Sequence, residues 1–252
     1  LRTPPGATLE VGAGPLAVVL ETEHCHIYTA TLLERDPGAT ADGLPEGDLA
    51  TLAAAGIHSL TAPVDATNLS NIEIGQPTHV FDADKIDGEI IVRLSRAGER
   101  AWPLFQDAPV DVPEGTLVIA DRSKILAIAG VIGCEDSKTT AETTRIVLES
   151  ACFDPVKVRI ASRGLGIHTD STARFERGSD PARPLVGAGR VVHLLEAHAG
   201  WKRVGTTGVV GAWADPVRTI ACDAAAATAY LGVKLDRARV AVLLGRQGVS
   251  SS

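Results

Sequence analysis

Within Leu148 to Pro181, LESACFDPVKVRIASRGLGIHTDSTARFERGSDP, one carboxylate sits in an apolar run and a dense polar loop follows it. Glu149 lies mid-run between apolar neighbours, where burial makes an unsatisfied carboxylate costly unless some group donates to it. His168, Thr169, Asp170, Ser171, Thr172, Arg174, Glu176 and Arg177 then crowd into a short span, more hydrogen-bonding capacity than a solvated loop needs. Such a grouping is a candidate site. It equally suits a helix-capping segment with Asp170, Ser171 or Thr172 at the N-cap. A strand glutamate paired with an arginine such as Arg163 is the corresponding structural alternative for Glu149. Upstream, the turn GlnProThr presents His79 and Asp82, a second polar cluster with an imidazole.

Elements to position these groups can be read around them. Pro15 to Leu20 and His26 to Leu33 read as strands, and Asp48 is the expected cap of a short helix closed by Gly56. Ala66, Leu69, Ile72 and Ile74 predict a helix that stops at Gly75. Strand-like runs follow at Glu89 to Leu94, Ala101 to Phe105, Thr116 to Ala120, Ile125 to Val131 and Ile146 to Cys152, too continuously apolar for one-sided surface strands. Gly130 and Gly133 mark a bend or a close approach of another group. Asp154 with Pro155, and Asp180 with Pro181, each read as the start of a helix, the first ended by Gly164 or Gly166 and the second by Gly200. A strand over Lys202 to Val210 leads to a boundary at Trp213 to Pro216, and the tail reads as a strand and two short helices. The predicted fold is α+β, a largely antiparallel β-rich sheet or barrel flanked by helices, with a short partial helical domain at the C-terminus. Residues 1–213 form the expected main domain and 214–252 the start of a smaller one.

Composition narrows the function classes. The 252 residues are 45% hydrophobic and carry a formal charge of −7, so a general polyanion binder is disfavoured and any nucleic-acid contact must be local. No run approaches the roughly 20 apolar residues of a membrane span, and the start lacks a signal peptide. Cys25, Cys134, Cys152 and Cys222 form no CxxC pair, which signals neither zinc nor a disulfide framework and fits a reducing cytoplasm. The absence of methionine from a chain beginning at Leu1 reads as a piece of something longer. No GxSxG, HExxH, P-loop or GxGxxG after a strand is found.

Four runs, DATNLSNIEIGQPTHVFDADKI, LAIAGVIGCEDS, VLESACFDPVKVR and GLGIHTDSTARFERGSDP, carry in their order and spacing a resemblance to the central editing domain of bacterial phenylalanine-tRNA ligase beta subunits. The resemblance covers roughly Cys25 to Gly211, and the tail resembles the opening of the next small domain. It implies hydrolysis of tyrosine wrongly esterified to the phenylalanine tRNA. It further implies that Glu149 and the glycine bend at Gly130, with Ala129 beside it, hold the tyrosine hydroxyl. Thr67, Asn68 and His79 match positions lining the ester end, His79 orienting water or ribose, and Thr169 matches a pocket-wall hydroxyl. Two positions depart from the family pattern: His58 replaces a common arginine, and Ser171 replaces a common alanine, adding a hydroxyl at the pocket wall. The implied partners are the acceptor end of tRNA(Phe) and an alpha subunit. No cofactor is expected in this region, with ATP and Mg2+ serving the whole enzyme elsewhere.

Overall fold

The computed structural model describes residues 4–40, 43–214 and 218–250. The chain divides into two compact units, Leu1–Trp213 and Ala214–Ser252. In the first, β1 (Val11–Gly12), β2 (Val18–Leu20) and β3 (Cys25–Arg35) precede helices α1 (Glu46–Ala54) and α2 (Ala62–Ile74). Then come β4 (Thr78–Asp82), β5 (Ile90–Leu94), β6 (Arg100–Ala101), β7 (Val110–Asp111), β8 (Leu117–Ala120), β9 (Ile125–Ile128), β10 (Ile132–Gly133) and β11 (Arg145–Phe153). Helices α3 (Pro155–Leu165), α4 (Asp170–Phe175) and α5 (Pro184–His198) and strands β12 (Trp201–Arg203) and β13 (Thr207–Gly211) complete it.

Two main sheets result, one ordered β1-β13-β3-β11-β4 with β12 also on β3, the other β10-β9-β8-β5-β2. All pairings are antiparallel except β1 with β13 and β2 with β5. The sheets stay open, so the sheet alternative holds rather than the barrel. Strand β11, RIVLESACF, is central because its apolar run is buried on both faces after Arg145. Side chains alternate across a strand, so Val147, Ala151 and Phe153 join Tyr28, Phe81 and the second sheet in one core. Ile146 and Leu148 instead meet Leu69 of α2 and Val191 and Leu195 of α5 in a second core. The layers are therefore helices, first sheet, second sheet, and Glu149 faces the space between the two sheets.

Helix ends follow the residue chemistry closely. Gly75 ends α2 and Gly166 ends α3, both in the left-handed conformation that glycine adopts without a Cβ penalty. Asp154 caps α3, accepting from the amides of Val156 and Lys157 and contacting His24 Nδ1 at 2.9 Å. Asp154→Ala is expected to cost about 0.5–2 kcal/mol, read as a lowered urea midpoint at unchanged slope. Other expectations are corrected. Helix α1 starts after Pro45, leaving Asp48 in its first turn. Asp180 accepts from the Ala182 amide and closes a turn, so α5 begins only at Pro184. The polar loop is capped by Thr169, one residue before the residues expected to do so. The anticipated strand at 202–210 is interrupted at Gly205, whose φ of 69° turns the chain between β12 and β13. Of 101–105 only Ala101 is in a strand, and Phe105 adopts a φ of 65° in an exposed turn.

The second unit contains α6 (Ala224–Leu231) and α7 (Arg237–Gly245), capped by Asp223 and Asp236. The strand expected at its start is not found among the described residues 218–223. Asp215 and Pro216 of the expected boundary lie outside the described residues. No described helix is long and apolar enough to cross a membrane.

Candidate functional site

Glu149 stands at the middle of the first sheet, opposite His79 on β4 and Ala30 on β3. Only 5% of it is exposed. Tyr28, on the same sheet face, donates from its hydroxyl to Oε2 at 3.5 Å, the outer limit of a hydrogen bond. Among the described residues no Lys, Arg or His forms an ion pair with Glu149; Arg163 is exposed on α3. Burial pushes the carboxyl up to about 8 against the smaller opposing effect of the Tyr28 bond. A neutral acid, offering one donor and one acceptor, therefore predominates at pH 7.

His79 projects from the neighbouring strand on the same face. Its ring meets Phe81 edge-on, with centroids 4.6 Å apart, and its Nε2 is enclosed without a protein partner. Burial lowers its pKa to about 4, so the imidazole is neutral near pH 7 and keeps an acceptor nitrogen. The two groups diverge although their backbones are paired. The carboxyl reaches toward Tyr28 on β3, whereas the ring lies against Gly133 of the second sheet, where an added β-carbon would sit 2.7 Å from Nε2.

Between them lies a small, open-mouthed pocket of about 50 Å³, lined by Glu149, His79, Gly130, Gly133, Ser171 and Phe175 among others. Gly130 has φ 69°, and a β-carbon there would come within 2.9 Å of Val158 and 3.2 Å of Phe175. Thr169 holds the cavity's rim in place. Its hydroxyl donates to the Val131 carbonyl at 2.8 Å and accepts from the Thr172 amide, tying α4 to the bend at 130–131.

Of the residues singled out from sequence, the fold gathers Glu149, His79, Gly130 and Ser171 around this cavity. Thr169 and Ala129 lie behind its wall; Ala129 is wholly buried, its amide donating to the Leu117 carbonyl. Thr67, Asn68 and His58 do not line it. Thr67 and Asn68 belong to α2 in the helical layer, where the Thr67 hydroxyl donates to the Val64 carbonyl at 2.7 Å, and His58 is exposed between α1 and α2. Tyr28 was missed as a functional candidate, although alternation in HIYTATLL puts Tyr28, Ala30 and Leu32 on one face. Phe175 was missed too. Among the described residues no cluster of three or more His, Cys, Asp or Glu side chains is arranged to hold a metal ion. Cys25, Cys134 and Cys152 are buried free thiols, whereas Cys222 is exposed.

Comparison with known proteins gives the family and the fold. Residues 45–200 match the B3/4 domain family. Similar sequences include the phenylalanine–tRNA ligase beta subunit of Acinetobacter baylyi, 41% identical over 73% of this chain and 23% of that protein. That of Hahella chejuensis is 38% identical over 81% of this chain and 26% of its own length, and that of Aquifex aeolicus 40% identical over 75% and 24%. The chain thus spans about a quarter of the length of these curated relatives. The fold is similar to a crystal structure of an N-terminal fragment of the phenylalanyl-tRNA synthetase beta subunit from Pyrococcus horikoshii. That match has a TM-score of 0.50 at 12% identity and covers 95% of this chain and 66% of that one. The chain belongs to the B3/4 domain family, and along most of its length its sequence is similar to those of phenylalanine–tRNA ligase beta subunits.

Proposed function

We propose that this chain is a proofreading hydrolase that removes tyrosine from mischarged tRNA(Phe). One observation carries the reading: Glu149, buried without an ion pair, faces a cavity shared with a neutral His79. Tyrosine exceeds phenylalanine by one hydroxyl, and an apolar synthetic pocket rejects such an isostere poorly. A second cavity whose buried acid needs a hydroxyl partner discriminates in the useful direction. Tyrosine fills the hydrogen-bonding capacity that the long Tyr28 contact leaves on the acid, while phenylalanine leaves that capacity unfilled, at a cost of about 1–3 kcal/mol.

At the reacting end, water attacks the carbonyl carbon of the ester, the bond to the ribose oxygen breaks, and that oxygen leaves with a proton as tyrosine departs. In the tautomer that carries its proton on Nδ1, the enclosed Nε2 of His79 accepts from the water and orients it. An aminoacyl ester is already activated, so positioning supplies much of the effect. In this reading Gly130 approaches the phenol end and Ser171 narrows the mouth. The acceptor end of tRNA(Phe) is the macromolecular partner, and no cofactor is required here. The whole ligase, with an alpha subunit, ATP and Mg2+, attaches phenylalanine outside this region, in the cytoplasm.

The test is deacylation of tyrosyl- and phenylalanyl-tRNA(Phe) by the chain itself. Tyrosine should be released faster by about tenfold or more, the equivalent of ~1.4 kcal/mol. Equal rates overturn the reading, and binding with no release above the spontaneous rate makes the chain a non-catalytic RNA-binding module.

A further inference from the structure

Cations of the first unit are mostly neutralised. Lys85, Arg93, Arg100, Arg122, Lys124, Lys138, Arg145, Arg183, Arg190, Lys202 and Arg203 each lie within 4.0 Å of a carboxylate. The span 156–177 is different. It holds five Lys and Arg against Asp170 and Glu176, in a chain whose net charge is −7. Within it Arg159 and Arg174 spend their guanidiniums on backbone carbonyls, of Glu176 at 2.7 Å and Asp170 at 3.3 Å. Lys157 donates to the Gly115 carbonyl, and Arg177, which also donates to the Ala173 carbonyl, lies 3.9 Å from Glu176, a pair as long as that of Arg183 and the one ion pair within the span among the described residues. A carbonyl orients a guanidinium without cancelling its charge, so this span keeps its positive field.

Helix geometry concentrates that field on one side. In α3, Val158, Ala161 and Ser162 are buried, which turns Val156, Arg159, Ile160 and Arg163 outward at the spacing of a single helical face. Val156 and Ile160 are exposed aliphatics, at 57% and 61%. The Arg159 bond to Glu176 ties this face to the end of α4, and Ser171 and Phe175 of α4 line the cavity. A cationic face interleaved with apolar side chains, one short helix away from the cavity, offers charge to the phosphates and apolar surface to the exposed bases of a single-stranded RNA end.

We infer that the outward face of α3, with Arg174 of α4 and Arg177 just beyond that helix, is the ledge on which the acceptor strand of an RNA rests while its 3′ ester enters the cavity. This rests on the proposed hydrolysis and adds the docking surface to it. Phosphates here recover Coulomb energy that the otherwise acidic molecule denies them, so binding depends on few contacts and on salt.

The experiment compares the parent chain, Arg163→Gln/Arg174→Gln/Arg177→Gln, which keeps the Arg159 tie to α4, and a control with three ion-paired surface cations removed, Arg100→Gln/Arg122→Gln/Lys202→Gln. Affinity for uncharged tRNA(Phe) is titrated over a range of salt, alongside KM and kcat for tyrosyl-tRNA(Phe) release and a thermal melt. For the ledge variant the expected results are a roughly tenfold or greater loss of affinity and a salt slope shallower by about 2 to 3. KM should rise, kcat at saturating tRNA should be unchanged, and the melt should match the parent. The control should bind as the parent does. Parent-like affinity and salt slope in the ledge variant, or an equal loss in the control, overturns the ledge. A variant that melts early is replaced by the single change Arg163→Glu, at an exposed side chain with no hydrogen bond or ion pair among the described residues, with the same expectations at smaller size. If the parent binds tRNA through the ledge without releasing tyrosine, the hydrolysis fails and the docking surface stands.

Discussion

Glu149→Ala is expected to erase the preference for tyrosyl over phenylalanyl ester, a fall of about 5- to 150-fold in the ratio of the two kcat/KM values, the range set by ~1–3 kcal/mol for one buried polar partner. Most of that change is a loss for tyrosine, but part is a gain for phenylalanine, because the cavity floor becomes apolar. Glu149→Gln separates two meanings of the same residue. With no cation paired to it, the carboxyl is raised by burial to about 8 and is mainly neutral at pH 7. A primary amide has nearly the shape of a neutral carboxylic acid and also offers a donor and an acceptor. Glu149→Gln should therefore retain most of the discrimination that Glu149→Ala loses. If Gln and Ala are equally unselective, an ionised carboxylate is the recognising form.

The same burial gives a pH signature in stability. The folded-state value of Glu149 lies above its unfolded value of 4.5, so the folded protein holds its proton more tightly. Stability from this group is fully present below about pH 4.5 and is lost as pH rises through about 8. His79 acts oppositely: its folded value, about 4, lies below 6.5, so its contribution is present above pH 6.5 and lost as pH falls through about 4. Denaturant unfolding of the parent and of Glu149→Gln across pH 5 to 9 should show the parent weakening relative to the variant as pH rises. A difference that stays constant with pH rules out a buried neutral acid.

Much of the scaffold was readable from local chemistry. The apolar continuity of RIVLESACF marks a strand covered on both faces, and Asp154 with Pro155 and the glycines at 75 and 166 mark helix ends through capping and left-handed backbone. These are near-neighbour effects, so the sequence states them directly. The cavity is not local. Tyr28 and Glu149 are 121 positions apart, and only strand register brings them together. Register likewise decides that His79 faces the cavity, whereas Thr67 and Asn68, about a dozen residues earlier, are carried by α2, which packs on the other face of the sheet. A one-residue difference in pairing would exchange those faces. The start of α5 was misplaced for a related reason. Asp-Pro recurs at 180–181, but there the aspartate closes a turn, and a second proline, Pro184, takes the first helical position.

Gly133→Ala should be the most damaging single methyl in the molecule's candidate site. A β-carbon at 133 would stand 2.5 Å from His79 Cε1, 2.7 Å from Nε2 and 3.3 Å from Leu104 Cδ1. Separations below 3.0 Å are not tolerated, so either the ring or a sheet must move. The ring is not free to swing aside, since Phe81 meets it edge-on and its strand is paired to β11 along its whole length. Overpacking of this kind costs about 1–3 kcal/mol of stability. A displacement of about 1 Å in the imidazole costs about 10²-fold in rate where positioning provides catalysis. The clash predicts a specific non-additivity. In His79→Ala the space is vacant, so adding Gly133→Ala to it should destabilise far less than Gly133→Ala does alone, a coupling of about 1 kcal/mol or more in a double-mutant cycle of unfolding free energies. Additive effects would mean that the methyl harms the protein through β10 itself, and His79 would then owe its enclosed Nε2 to something other than the close approach of this glycine.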